Sequence, residues 1–357
     1  MDKADFTYNR VDSFDVMRII AICAVVLLHI SVDYVKNYPN NSIEFISNNL
    51  LNSFTRFAVP VFFMISGALM LNEDKKLSNK RIIHAALHIL VLLIIWSIVY
   101  SVAYYIIKPL VFKEDISFSA IIYAMFYGHY HLWYLFVLIG LYLITPILRT
   151  FIKRDNLPLI TSYLNFSIIV CFVLPFVNQI VNFYTVRDNL LMNYISNYQM
   201  NYFYDSIVYY IMGWYILNTE INMLSRISIY ICGLLGYLAT AFCTQMFYDN
   251  TQSLYNFFYE GNCLTVFLYS IAVFTFLHYL LKRKNYKSNA AVLKLSSFVF
   301  GVYLIHPVFL FALKTVFSNI GAAPLDTLAI FIGATLLSFF SVFVISKIPF
   351  VKKVIRG

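Results

Sequence analysis

Residues 14–30, FDVMRIIAICAVVLLHI, are apolar enough to enter a membrane, yet they hold Arg18 near one end and His29 near the other. A helix needs about 20 apolar residues to cross roughly 30 Å of hydrocarbon, and continued to residue 35 this stretch supplies them. Ionisable side chains inside such a segment are costly and mark function by default. Eleven residues at about 100° each bring the chain within roughly 20° of three full turns, so Arg18 and His29 share a helix face, about 16 Å apart along the axis. The sequence predicts Arg18 near the cytoplasmic surface and His29 in the outer half of the bilayer. Asp33, four residues further on the same face, is placed to accept the imidazole N–H and fix its tautomer. Taken singly, Arg18 also suits a snorkelling arginine and His29 an interhelical hydrogen bond; their shared face favours function.

The same texture runs through all 357 residues, of which 61% are apolar and 12% charged, as in polytopic membrane proteins and not in soluble domains. Apolar runs predict an all-α chain of ten transmembrane helices, at 14–35, 50–71, 82–107, 131–148, 158–178, 204–219, 225–247, 262–281, 291–313 and 325–347. The apolar stretch 116–128 is too short to cross and is expected as a helix at the outer interface. The largest outer connection, 179–203, is rich in Asn and Tyr and is placed to cover or feed a site. Alternate connections hold 18 and 5 Lys/Arg residues, which sets both termini in the cytoplasm. The net charge of +9 is thus a topology signal, and no nucleic-acid partner is expected. Five cysteines without paired spacing imply neither a disulfide framework nor a metal site. The first span is too long for a signal-peptide core and is expected to be retained. Residues 1–357 are expected to form one membrane-embedded domain without an appended soluble domain, in a multi-pass protein of the cell membrane.

Other spans carry ionisable groups to the level of His29. The second, LLNSFTRFAVPVFFMISGALML, holds Arg56 about six residues below its outer end, with Pro60 to loosen the helix and Ser66 and Gly67 to allow close backbone approach. His131 and Trp133 mark the outer end of the fourth span, and His306 lies about 15 residues into the ninth. Four helices thereby bring His29, Arg56, His131 and His306 to one layer. Lys75, Lys76, Lys80, Arg81 and His84 form a basic cytoplasmic cluster, read either as positive-inside topology or as a seat for donor phosphates. His88, His129 and His278 carry weaker signals. Acidic residues are nearly absent from the spans, which disfavours an ion-coupled transporter. No Gly-rich phosphate loop or serine-hydrolase motif is present, so Ser66 is not read as a nucleophile.

These motifs resemble the integral membrane acyltransferase 3 family, whose members acylate surface polysaccharides and related envelope molecules. The arginine, ten residues and histidine of the first span are met by Arg18 and His29. The second-span pattern is met by Arg56, Pro60, Phe62, Phe63, Ser66 and Gly67, and HLWYL at His131 and Trp133 and YLIHP at Tyr303 and His306 follow in order. The resemblance runs from residue 14 to about 310. Many members carry two arginines three apart at the start of the third span, thought to meet the donor; the matching positions here are Arg81 and His84, with Lys80 beside them.

The resemblance implies transfer of an acyl group, acetyl in the first instance, from cytoplasmic acetyl-CoA to a hydroxyl of an envelope glycan or exopolysaccharide, without a metal. Donor phosphates would sit near Lys80, Arg81 and His84, with Ser66 on the donor side and Arg18 lining a channel that joins the two faces. His29 would be general base or transient acyl carrier, Arg56 or His306 would hold the oxyanion, and His131, Trp133, Tyr303 and His306 would meet the acceptor. A transporter or flippase for a glycan or small polar solute is the alternative that ten spans with scattered polar residues also permit.

Overall fold

The computed structural model describes residues 12–112, 118–185, 205–248, 256–317 and 323–348. They form helices α1 (Ser13–Asn37), α2 (Ile43–Thr55), α3 (Ala58–Met70), α4 (Asn79–Phe112), α5 (Phe118–Tyr127), α6 (Trp133–Phe151), α7 (Leu157–Ile168), α8 (Leu174–Thr185), α9 (Asp205–Asn218), α10 (Met223–Met246), α11 (Leu264–Arg283), α12 (Ala290–Phe317) and α13 (Ala323–Ile345), with no strand among the described residues. The chain is an all-α, multi-pass membrane protein. In a bilayer only intra-segment hydrogen bonding satisfies the backbone without a closed barrel, and this sequence takes that solution.

Among the described residues nine helical segments are long and apolar enough to cross. The tenth expected span is α9, whose 14 residues cover only about 21 Å. Counting α9 as a pass, residues 12 and 348 lie on one face, which the Lys/Arg excess assigns to the cytoplasm. The short interfacial helix expected at 116–128 is α5. Most of the outer connection expected at 179–203 lies outside the described residues, as does the charged loop at 113–115.

Helix α1 is the central pillar, packed against α2, α3, α12 and α13, and Met17, Ile22, Val26 and Ile30 are fully buried. By contrast α13 leaves Leu325, Leu328, Leu336 and Phe340 exposed, as a lipid-facing helix does. Helices α3 and α9 cross in backbone contact: a Cβ on Gly67 would lie 1.7 Å from the Tyr210 carbonyl oxygen, and one on Gly213 1.9 Å from that of Met64. Such crossings need residues without side chains.

Two interruptions shape the interior. Arg56 and Phe57 separate α2 from α3, because Pro60 has no N–H to give the Arg56 carbonyl four residues back. The second span, Ile43–Met70, is thus two helices joined in helical conformation through Arg56 and Phe57. Between α7 and α8, residues Ile169–Val173 form a π-helical turn, a widening that often serves a site.

Candidate active site

A cavity of about 1250 Å³ lies among the outer halves of the helices, with His29, Arg56, His129, Tyr130, Trp133 and Lys314 on its wall. Lys36 and Glu260, both exposed, mark its outer mouth, and the π-helical turn contributes Val170 and Cys171. The deepest α1 residue on the wall is Val25, seven residues or about 10 Å above Arg18.

Arg56 is held in place by groups that a reading of the sequence passed over. Its Nε donates to Asn52 Oδ1 at 2.8 Å, its second terminal nitrogen donates to the same oxygen, and its first donates to the Tyr259 carbonyl at 2.9 Å. The Tyr259 ring lies 4.0 Å beneath the guanidinium. Asn52 in turn donates to Ser31 Oγ at 2.8 Å and to the Leu28 carbonyl at 3.0 Å, tying Arg56 to the residue before His29. Three of the five guanidinium N–H groups are thereby used, and the other two make no hydrogen bond among the described residues. The signal was present as Asn48, Asn49, Asn52 and Arg56 on one face of an apolar span.

Asp33 does not meet the His29 imidazole as expected. Its carboxylate accepts a hydrogen bond from Lys314 Nζ, which also donates to the His29 carbonyl oxygen at 3.1 Å. The cation reaches the carboxylate first because Lys314 comes in from α12 beside the same turn, so Asp33 fixes the α1 to α12 join and not the ring. The His29 ring packs instead on Tyr130, 5.0 Å between centroids, and on His306 at 5.4 Å.

His306, His131 and Tyr303 were expected to touch the acceptor; all three are buried and none lines the cavity. They form a second layer behind His29. His131 lies 5.5 Å from His306 and 4.9 Å from His129 by ring centroids, and the two Nδ1 atoms of His129 and His131 are 2.8 Å apart, so one donates and the other accepts. The Tyr303 hydroxyl donates to the His131 carbonyl. Gly128, at φ 71°, takes the left-handed turn that brings residues 129–131 inward. Burial pushes His129, just outside the fourth span, down to about 4.

One contact fixes a tautomer. Pro307 has no N–H, which leaves the Tyr303 carbonyl without its helical donor. His306 Nδ1 takes that acceptor at 2.8 Å. A carbonyl only accepts, so Nδ1 carries the proton and the neutral ring keeps its lone pair on Nε2. Nε2 is buried and has no hydrogen-bond partner among the described residues.

Arg18 sits below the cavity and does not line it. It lies 3.9 Å from the Asp15 carboxylate, and Asp15 is held by Ser288 and Ser296 hydroxyls. The outer cavity does not extend to Arg18; Ser66 is in hydrogen-bonding reach of the Tyr134 and Tyr142 phenols, and both phenols are within electrostatic reach of Arg18. Ring contacts continue upward from Tyr134 to Tyr303 at 5.6 Å and from Tyr303 to His131 at 5.4 Å. Lys80, Arg81 and His84 are exposed on the first turns of α4. Lys75 lies within electrostatic reach of Arg18 and is held below its ordinary value by burial and then by the charges of Arg149 and Arg18. The Arg149 guanidinium is bound to the Met70, Asn72 and Lys75 carbonyls.

A family model described as an acyltransferase domain, that of acyltransferase 3, matches residues 11–347. No curated protein and no solved structure matches the chain.

Proposed function

The chain belongs to the acyltransferase 3 family and is a membrane acyltransferase, and from that premise we propose that it carries acetyl from cytoplasmic acetyl-CoA to a hydroxyl of an envelope glycan at the outer cavity. One observation carries this reading: a roomy outward cavity whose wall sets an imidazole, His29, beside a clamped guanidinium, Arg56, with Tyr130 and Trp133 at its side. Base, oxyanion partner and aromatic surface are what ester formation on a sugar needs.

The donor phosphates rest on the basic cytoplasmic face, where Lys75 and Arg18 supply the inner charge and Lys80, Arg81 and His84 the outer. The thioester arm rises past Arg18 once Tyr134 and Tyr142 part from Ser66. The sugar enters from outside and stacks on Trp133, which is half-exposed on the cavity wall. His29 takes the hydroxyl proton as the oxygen attacks the thioester carbonyl, and Arg56 receives the oxyanion, a contact worth roughly 3 kcal/mol per donor. The C–S bond then breaks, and the thiolate recovers the proton from His29. His306 and His131 act from behind by holding the His29 ring.

Vesicles holding labelled acetyl-CoA inside and glycan oligosaccharide outside test this. Alkali-labile label on the outer glycan is the expected result. Glycan crossing the membrane unlabelled, with the donor untouched, would instead favour a transporter.

A further inference from the structure

A second cavity, of about 510 Å³, opens at the cytoplasmic ends of α9, α10 and α11, far from His29 in the fold; Arg154, Asn218, Glu220, His278, Tyr279 and Lys282 are on its wall. Its charges are unequally met. Arg154 is paired with Glu73 at 3.1 Å and Asp74 at 2.6 Å. Lys282 and the adjoining Arg226 make no ion pair among the described residues, and both cations gather on Tyr279: the guanidinium lies 4.4 Å from the ring centroid and the ammonium 6.0 Å. Glu220 is the acid that the wall itself offers.

Polar atoms here also lack partners. Arg226 Nε and His278 Nδ1 are buried without a hydrogen bond among the described residues, and buried polar atoms left unmet are costly. The first turn of α10 starts at the cavity edge, where Asn222 caps only the Ser225 N–H, adding partial positive charge. An anion with several oxygens would meet these groups together.

A soluble anion would have no use for what lies next to them. From the cavity edge, Met223, Leu224, Ile227 and Ile231 run up α10 at helical spacing, all exposed, Leu224 to 79%. A cationic seat at the inner membrane surface continuous with an apolar strip matches a lipid headgroup and its chains.

We propose that this cavity binds an anionic phospholipid of the inner leaflet, its phosphate seated among Lys282, Arg226 and His278 and its acyl chains lying along α10. The site is separate from the acyl-transfer cavity and does not rest on the function proposed above.

The full chain in nanodiscs containing phosphatidylglycerol and phosphatidylcholine, analysed by native mass spectrometry, tests it. The wild-type protein should retain phosphatidylglycerol over phosphatidylcholine, and Lys282→Gln with Arg226→Gln should weaken retention by about tenfold, whereas Lys76→Gln, on the same face, should not. Millimolar inorganic phosphate should leave the lipid in place. Equal retention of both lipids, equal retention by the double variant, or full displacement by phosphate would each overturn the proposal. A photoreactive phosphatidylglycerol on the wild-type protein serves should the double variant not fold: labelling concentrated on residues 223–231 is expected, and labelling spread evenly over the lipid-facing helices would contradict the site.

Discussion

His306 Nδ1 lies 2.8 Å from the carbonyl oxygen of Tyr303, in the place where a backbone N–H from residue 307 would sit if that residue were not proline. The tautomer of a buried imidazole next to His29 is therefore written into a dipeptide. Replacing Pro307 by Ala returns the backbone donor and releases the ring. Helix interiors prefer Ala to Pro by about 3 kcal/mol, so the variant should be no less stable by thermal melting while kcat falls. Imidazole ¹⁵N NMR should show one Nδ1–H tautomer for His306 in the wild-type protein and a mixture in Pro307→Ala. An unchanged tautomer with lowered kcat would break the link.

Asn52 is the joint between Arg56 and the backbone beside His29. Asn52→Leu strips Arg56 of an acceptor and removes the amide donor to Ser31 and the Leu28 carbonyl, at a cost of about 2 kcal/mol and of about tenfold or more in kcat. Asn52→Asp keeps the acceptor for Arg56 and should retain more activity than the leucine variant. Parallel kinetics and melting of the two variants check this.

Gly67 meets the Tyr210 carbonyl with no room for a methyl group, whereas a Cβ on Gly140 would have nothing within 4 Å. Gly67→Ala should force α3 and α9 apart and cost about 3 kcal/mol or more. Gly140→Ala should be neutral or mildly stabilising. Size-exclusion profiles and melting in detergent read both.

His129, outside the spans, is pushed by burial from 6.5 down to about 4. The unfolded chain therefore binds this proton more readily than the folded one. The stability His129 contributes is complete above about pH 6.5 and is lost as pH falls toward about 4. Between about pH 7.5 and about pH 5 the wild-type protein should lose more melting temperature than His129→Asn, and equal losses would show that the depressed imidazole is not coupled to folding.

Much of this was legible from residues alone, because membrane helices announce themselves: an apolar run has one way to satisfy its backbone in lipid, and the order of lysines and arginines orients it. The layer of His29, Arg56, His131 and His306 followed from helix rise and direction. What the residues did not reveal was which neighbour wins a polar group. Asp33 is four residues from His29, yet Lys314, distant in sequence, takes its carboxylate. The resemblance puts the donor seat at Lys80, Arg81 and His84, while Lys75 is the lysine that feels the charge of Arg18. The clamp on Arg56 and the grouping of Tyr134, Tyr142 and Ser66 near Arg18 depend on how side chains from several helices meet, and periodicity carries no information about that.

The central claim is that His29 takes the acceptor proton in the outer cavity. Acetyl transfer from labelled acetyl-CoA to glycan by reconstituted His29→Ala, with acetyl-CoA binding measured alongside, tests it most directly. Turnover should fall by about a thousandfold with donor binding retained. Wild-type turnover in His29→Ala would contradict the account.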